Sequence, residues 1–467
     1  MRIRSRRFTI AALLGCIVVT TAIVPAVAQD APTTTTAPTT TTTPAALDPS
    51  RVPAATNPPG DALPNPQAYA TLALDFIEQT AYKVPAVDWT AIRAKATERI
   101  VRAQTIADTY PIIADTLKGL GDRHSSFTRP PEAVTQTAGR YNGFGFLAVA
   151  PSRVVITVVP NSPAALAGLR IGDRIDLVDG AAPTLANGTV TIKRDAAGRF
   201  PDSITLRVSR MVKTGKRQRL QSAIIVIKQG EVTLISVPTT IPVPLTVLGT
   251  KYGYIEVPGI VGDPSAQQVY ASELQTAIRQ TDAPTRCGWV VDLRRNRGGY
   301  IFAMLAGVGP IAGDGLLGGR RDARGTVTEW RYVDGALVEN GTKTVVSADP
   351  YRLLHANPPV AVLTSAISAS AAEATAIAFR GRPGARSFGE ATNGIPTYNT
   401  RRTMPDGAFL DVMTNVDVDR NGTPYEGPVP VDEPVAIDWS NIANDRDPVL
   451  AAAVRWLSTQ PACTTTP

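Results

Sequence analysis

Residues 358–393 read PPVAVLTSAISASAAEATAIAFRGRPGARSFGEATN, and the fold of the chain turns on them. Val360 to Thr364 is a short apolar, β-branched run behind two prolines, the composition of a buried strand. From Ser370 to Phe379 a run of Ala, Glu, Thr, Ile and Phe has helical spacing, and Arg380-Gly381-Arg382-Pro383 stops it. Ser365, Ser368 and Ser370 fall between strand and helix. A serine at such a turn holds its Oγ at a helix N-terminus, where free backbone N–H groups favour a developing oxyanion. Ser370 is thus a candidate nucleophile, with the Ala371 N–H as one oxyanion donor. The same placement suits a plain helix cap, so both readings stand at this point.

Working outward, Gly288 to Leu293 (GWVVDL) reads as a second buried strand, opening into Arg294-Arg295-Asn296-Arg297-Gly298-Gly299. A Gly-Gly turn beyond a strand lets backbone approach a ligand closely. Gly298 and Gly299 are therefore candidates for the second oxyanion donor, beside the reading as a plain tight turn. Tyr252 to Pro258 reads as a strand and Ala266 to Gln280 as a helix. Strands alternating with helices imply an α/β domain with a largely parallel sheet. Further on, Gly407 to Met413 and Thr414 to Asp419 read as strands, Arg420 to Thr423 as a turn, and Pro448 to Leu457 as the last helix.

The 467 residues give room for two or three domains, and 43% hydrophobic content suits packed cores without making a polytopic membrane protein. Arg2, Arg4, Arg6 and Arg7 supply four of the seven formal net positive charges. The remainder is too scattered to argue for nucleic acid. These arginines precede the apolar run Phe8 to Ala28, ending in Ala26-Val27-Ala28, so residues 1–28 have the form of a secretory signal. Leu13-Leu14-Gly15-Cys16 has the form of a lipoprotein box, and the run is long enough for an uncleaved anchor. Secretion and cell-envelope retention, through Cys16 or an anchor, both stand. Residues 29–67 are Thr/Pro-rich and read as an extended linker. Cys287 and Cys463, the cysteines outside the signal, form one disulfide in an oxidising compartment or remain two thiols. No cluster has metal-ligand spacing, and no cofactor is expected.

Residues 68–135 have helical periodicity. Leu72, Leu74, Phe76 and Ile77 form one apolar face; Trp89, Ile92, Ala96 and Ile100 a second; Ile106, Ile112, Ile113 and Leu117 a third. The region ends in Gly121-Asp122-Arg123-His124-Ser125. The chain has two histidines, His124 and His355, so an imidazole base for a serine is one of them. A lone histidine in a turn is more commonly structural. Residues 136–230 are β-rich. Gly143-Phe144-Gly145-Phe146, the segment after Ser162, and Gly172 to Gly180 (GDRIDLVDG) resemble a PDZ domain. In that reading Gly143, Phe144, Gly145 and Phe146 present backbone N–H groups to the carboxylate of an extended C-terminal peptide. The spacing from Ala186 to Ala197 is unusual for this fold.

Taken in order, the leader, the helical region ending in GDRHS, the PDZ-like insert, VVDLRRNRGG, SASAAE and FGEATNG resemble the tail-specific (C-terminal processing) serine peptidases. The resemblance implies a multi-domain α/β fold, with residues 231–467 a catalytic domain of the tail-specific protease/crotonase-like type. It also implies an exported serine endopeptidase acting on polypeptides. Ser370 matches the nucleophile; Gly298, Gly299 and the Ala371 N–H match the oxyanion hole. The tail-specific branch takes its base from a lysine in G-E-x-x-F-G-K. Here Ile395 holds that position, and no lysine follows Lys343. The chain is similar instead to the tricorn-like Ser/His/Glu branch, where His124 matches the base and Glu426 the acid. That arrangement has a serine before its histidine, where this chain has Arg123; the role of Ser125 stays open. Glu373 is expected to support the turn. The competing expectation is an inactive relative that binds peptides or small apolar ligands.

Overall fold

A computed structural model describes residues 63–186, 188–195, 199–214, 217–233, 248–262 and 265–464. The expected signal and nearly all of the linker lie outside these residues. No described helix is long and apolar enough to cross a membrane.

Five parallel strands form one sheet, in the order Tyr252–Glu256, Gly288–Asp292, Val360–Thr364, Ala385–Gly389 and Glu433–Pro434. The second and third are buried along their whole length. Strand periodicity explains why. Trp289, Val291, Val360 and Val362 face the helices Ala266–Thr281 and Ile301–Ala312, packing with Leu274, Ile278 and Leu305. Val290, Ala361 and Leu363 face the opposite way, against Val449, Leu450 and Leu457 of the helix Pro448–Ser458. The sulfurs of Cys287 and Cys463 are joined, fixing the C-terminal segment beside the start of Gly288–Asp292.

A second sheet of eight strands was not foreseen as such. Gly315–Asp322, Val327–Val333, Ala336–Glu339 and Thr342–Val346 make an antiparallel meander. The meander joins the long strand Phe409–Val418, which replaces the two strands expected over that stretch. Ser126–Thr128 and Thr397–Thr403 pair with the same long strand on its two edges, as the registers Ser126↔Asp411 and Arg401↔Asp411 require.

The helical region folds as expected into Pro66–Thr80, Trp89–Ile100 and Ile106–Gly119, followed by Pro130–Thr137. Asn65, Asp88 and Thr105 cap the first three, with Asp108 completing a capping box at the third. Tyr69, Phe76, Ile77, Ile113 and Leu117 pack on Met404, Leu410 and Val412. The hydroxyls of Tyr69 and Tyr110 both donate to Asp406, at 2.9 and 2.6 Å. These contacts seat the helices on the second sheet.

The β-rich unit holds seven strands between Phe146 and Lys228. A short helix, Pro163–Leu166, is capped by Ser162. The loop Gly143 to Phe146 is held from behind: Phe144 O accepts the Ala164 N–H and Gly145 O the Val159 N–H, each at 2.8 Å. Gly145 has φ 80°, and a Cβ there would meet Ser162 Cβ at 2.2 Å. Where the spacing is unusual, Thr184–Ala186 and Thr189–Thr191 form a hairpin that reaches the strand Phe146–Val149 at Val149. Its turn abuts Ile367, since a Cβ at Gly188 would lie 3.0 Å from Ile367 Cγ2. Ile367 also packs with Val149, Val154 and Ile156. The unit thus rests directly on the segment that leads to Ser370.

Candidate active site

The strand Val360–Thr364 ends in a turn stitched to its neighbour. Ser365 Oγ donates to Arg294 O at 2.6 Å and Ser368 Oγ to Leu293 O at 2.8 Å. These two serines are fully buried, so their hydroxyls hold the turn. Ser370 differs. It stays partly exposed while Ala371 to Phe379 are buried, and its backbone sits at φ 54°, ψ −120°. A residue with a Cβ persists there only when its surroundings over-determine it. Glu373 supplies that constraint from the first turn of the helix Ala371–Ile377. Its Oε2 accepts the N–H groups of Ser370 and Ile395, both at 2.9 Å. Its Oε1 accepts Thr392 Oγ1 at 2.5 Å and the Gly394 N–H at 2.8 Å. Burial pushes this carboxyl up, and the four donors act against that rise.

Gly298 presses on the same turn. A Cβ there would lie 2.7 Å from Ala369 O, 2.8 Å from Ser370 Cβ and 3.2 Å from Ala371 N. Its own N–H, expected as an oxyanion donor, donates here to Asn296 Oδ1 at 2.7 Å. The N–H groups of Gly299 and Ala371 have no hydrogen-bond acceptor among the described residues. Beneath the turn, Arg294 is fully buried and pairs with Asp292 at 2.6 Å and Asp447 at 2.7 Å. Tyr254 donates to Asp292 at 2.8 Å. Burial alone would raise the Asp292 carboxyl; the Arg294 guanidinium holds it below its ordinary value.

His124 sits in a loop anchored on both sides. Its N–H and that of Ser125 donate to Asp122 Oδ1, at 2.9 and 2.8 Å. Ser125 Oγ donates to Asp122 Oδ2 at 2.6 Å and accepts the Met413 N–H at 2.9 Å, so Ser125 pins the loop to the long strand. The ring Nδ1 lies 2.6 Å from Thr397 Oγ1. Burial lowers the imidazole pKa, and the carboxylates of Asp122 and Asp411 pull it partly back.

The segment Thr392–Thr397 joins the two halves of the site. Gly394 and Ile395 grip Glu373 behind Ser370, the Asn393 N–H donates to Ser368 O at 2.9 Å, and Thr397 meets His124. Arg123 reaches the same segment, with Nη2 donating to Asn393 Oδ1 at 3.4 Å. His355 lies apart in an exposed loop, bonded to Pro284 O at 2.8 Å.

Glu426, expected as the acid, makes no hydrogen bond to the imidazole among the described residues. It accepts the Tyr82 hydroxyl at 3.1 Å and pairs with Lys83 at 3.5 Å and Arg321 at 3.6 Å on an exposed surface. Two cations and a phenol satisfy it there. Sequence reasoning missed Thr397, since a threonine opening a strand carries no signal of its partner. Among the described residues no group of His, Cys, Asp and Glu could hold a metal ion. A cavity of about 450 Å³ lined by Val362, Phe379, Arg386 and Trp456 includes neither Ser370 nor His124.

A strained serine at a strand-to-helix turn, backed by a glycine turn over a parallel sheet, is the architecture of an α/β serine hydrolase. Residues 251–435 match the Peptidase family S41 domain. The nisin-resistance protein of Lactococcus lactis subsp. lactis is 28% identical over 172 residues, 37% of this chain and 52% of that protein. The chain therefore spans about half the length of that curated relative. Two solved structures share the fold. A lipoprotein from Streptococcus agalactiae has a TM-score of 0.53 at 17% identity, covering 86% of this chain and 98% of its own. A putative S41 protease from Bacteroides fragilis NCTC 9343 has a TM-score of 0.52 at 18% identity, covering 85% and 98%. Residues 251–435 thus carry a Peptidase family S41 domain, of the serine-type peptidases that the motifs of this stretch resemble.

Proposed function

We propose that this chain is an exported serine endopeptidase that cleaves extracytoplasmic polypeptides, with Ser370 as nucleophile and His124 as base. The observation that carries this is the strained backbone of Ser370, held at φ 54° beside the Ala371 N–H and the Gly298-Gly299 turn. Strain of this kind persists at sites where it serves reactivity. In the reaction, His124 Nε2 takes the Ser370 proton as Oγ bonds to the peptide carbonyl carbon. The carbonyl oxygen becomes an oxyanion, received by the Gly299 and Ala371 N–H groups; such donors are worth roughly 3–4 kcal/mol each. The imidazolium then returns its proton to the leaving amine, and water releases the acyl group by the same steps. No lysine is required.

The PDZ-like unit, resting on Ile367, engages an extended C-terminal tail along the loop Gly143 to Phe146. Export rests on the signal-like residues 1–28, and the curated relative named for nisin resistance fits an envelope location. The test is turnover of peptides with free C-termini, comparing wild type with Ser370→Ala and His124→Ala, together with fluorophosphonate labelling. Loss of turnover in both variants, and of labelling in Ser370→Ala, is expected. Equal rates in all three proteins would remove the proposal.

A further inference from the structure

The imidazole of His124 has a single ring hydrogen bond among the described residues, and its partner is a hydroxyl rather than a carboxylate. We infer that Thr397 is the positioning residue of His124. It accepts the Nδ1 proton and so leaves Nε2 bare to act as the base. The inference rests on the reading of His124 as a base, and it assigns to a neutral group a role first expected of Glu426.

Three observations carry it. The contact is short, 2.6 Å, and joins residues 273 apart in sequence, so tertiary structure built it. Thr397 is buried and fixed at the start of the strand Thr397–Thr403, in register with Val416. Its hydroxyl has an outlet for its own proton in Ile395 O at 3.5 Å. A hydroxyl that donates to Ile395 offers its lone pair to Nδ1–H, and that proton fixes the tautomer. Ile395 N–H in turn grips Glu373, which holds Ser370 N–H. One segment therefore orients base and nucleophile together.

The charged groups near the ring are Asp122, Asp411 and Arg123. Asp122 is occupied by the His124 and Ser125 N–H groups and the Ser125 hydroxyl. Asp411 is held by Arg401 at 2.8 Å, and Arg123 turns to Asn393. None bonds the ring. A threonine stabilises the imidazolium less than an ionised partner does. The base thus stays neutral to lower pH than a carboxylate-backed histidine.

The chain's two histidines make a direct test practical. Full-length protein labelled with ¹⁵N in its imidazole rings gives two sets of ring signals, and His124→Gln assigns them. For neutral His124 the proton is expected on Nδ1, with Nε2 unprotonated. In Thr397→Val this preference is lost, kcat falls about tenfold with KM little changed, and Thr397→Ser restores both readouts. The acid limb of kcat/KM moves to lower pH in Thr397→Val, since an acceptor for the imidazolium is gone. A wild-type ring protonated on Nε2, or a valine variant matching the serine variant, would overturn the inference. The labelled-ring measurement needs no turnover, so it separates this inference from failure of the peptidase reading.

Discussion

A single methyl group at Gly298 should separate catalysis from folding. In Gly298→Ala the new Cβ points at the turn, 2.7 Å from Ala369 O and 2.8 Å from Ser370 Cβ. Alanine at φ 96° costs on the order of 1–2 kcal/mol. Overlap with backbone that cannot rotate away adds roughly 1–3 kcal/mol. The sum stays below the stability of about 5–15 kcal/mol typical of a folded domain, so the variant folds with a lowered Tm. The methyl also stands 3.2 Å from Ala371 N, where a carbonyl oxygen must approach. Losing one oxyanion donor lowers kcat by about 10²–10³. The assay is initial-rate peptide cleavage alongside a thermal melt. Gly299→Ala is the contrast, because its Cβ would fall 1.6 Å from Ile260 O and break the bridge between them. That variant is expected to lose folded protein first. A Gly298→Ala enzyme with wild-type kcat/KM and an unchanged melt would refute the reasoning.

Two further outcomes follow from buried charge. Arg294→Met leaves Asp292 and Asp447 without their cation, and denaturant titration is expected to show a loss of about 3–5 kcal/mol. Asp417 is 1% exposed, and neither carboxyl oxygen has a hydrogen-bond partner. Burial, reinforced by Glu373 and opposed by Arg320, holds its carboxyl well above the ordinary value. The folded state then binds more protons than the unfolded one above about pH 4, so this group lowers stability as pH rises through that window. Asp417→Asn should flatten the fall of Tm over that range and cost nothing at neutral pH. A uniform drop in Tm at every pH would count against it.

What the sequence made legible was local. Val360–Thr364 forms as read, because β-branched residues behind prolines need no distant partner to declare a strand. The Ser370 turn was legible for the same reason, although it is the packing of the turn that makes Ser365 and Ser368 stitches and leaves Ser370 apart. What escaped was pairing across the chain. Glu426 was placed by motif order, which fixes a position in the chain but not the direction of a flexible carboxylate; Tyr82, Lys83 and Arg321 take it. Thr397 escaped because its partner lies 273 residues away in the chain. The strand Val327–Val333 alternates, with Trp330 and Tyr332 inward, and its partner is the glycine-bearing strand Gly315–Asp322.

The bond between Cys287 and Cys463 closes a covalent ring 176 residues apart in sequence, which contains Gly298, Ser370 and Thr397 but leaves His124 outside. A single backbone nick inside that ring severs the chain without releasing a fragment, so nicked molecules migrate whole on a gel until a reductant is added. On chain-entropy grounds the cross-link is worth about 5 kcal/mol. A reducing medium would therefore weaken the strand that carries the glycine turn and, with it, the frame of the whole site.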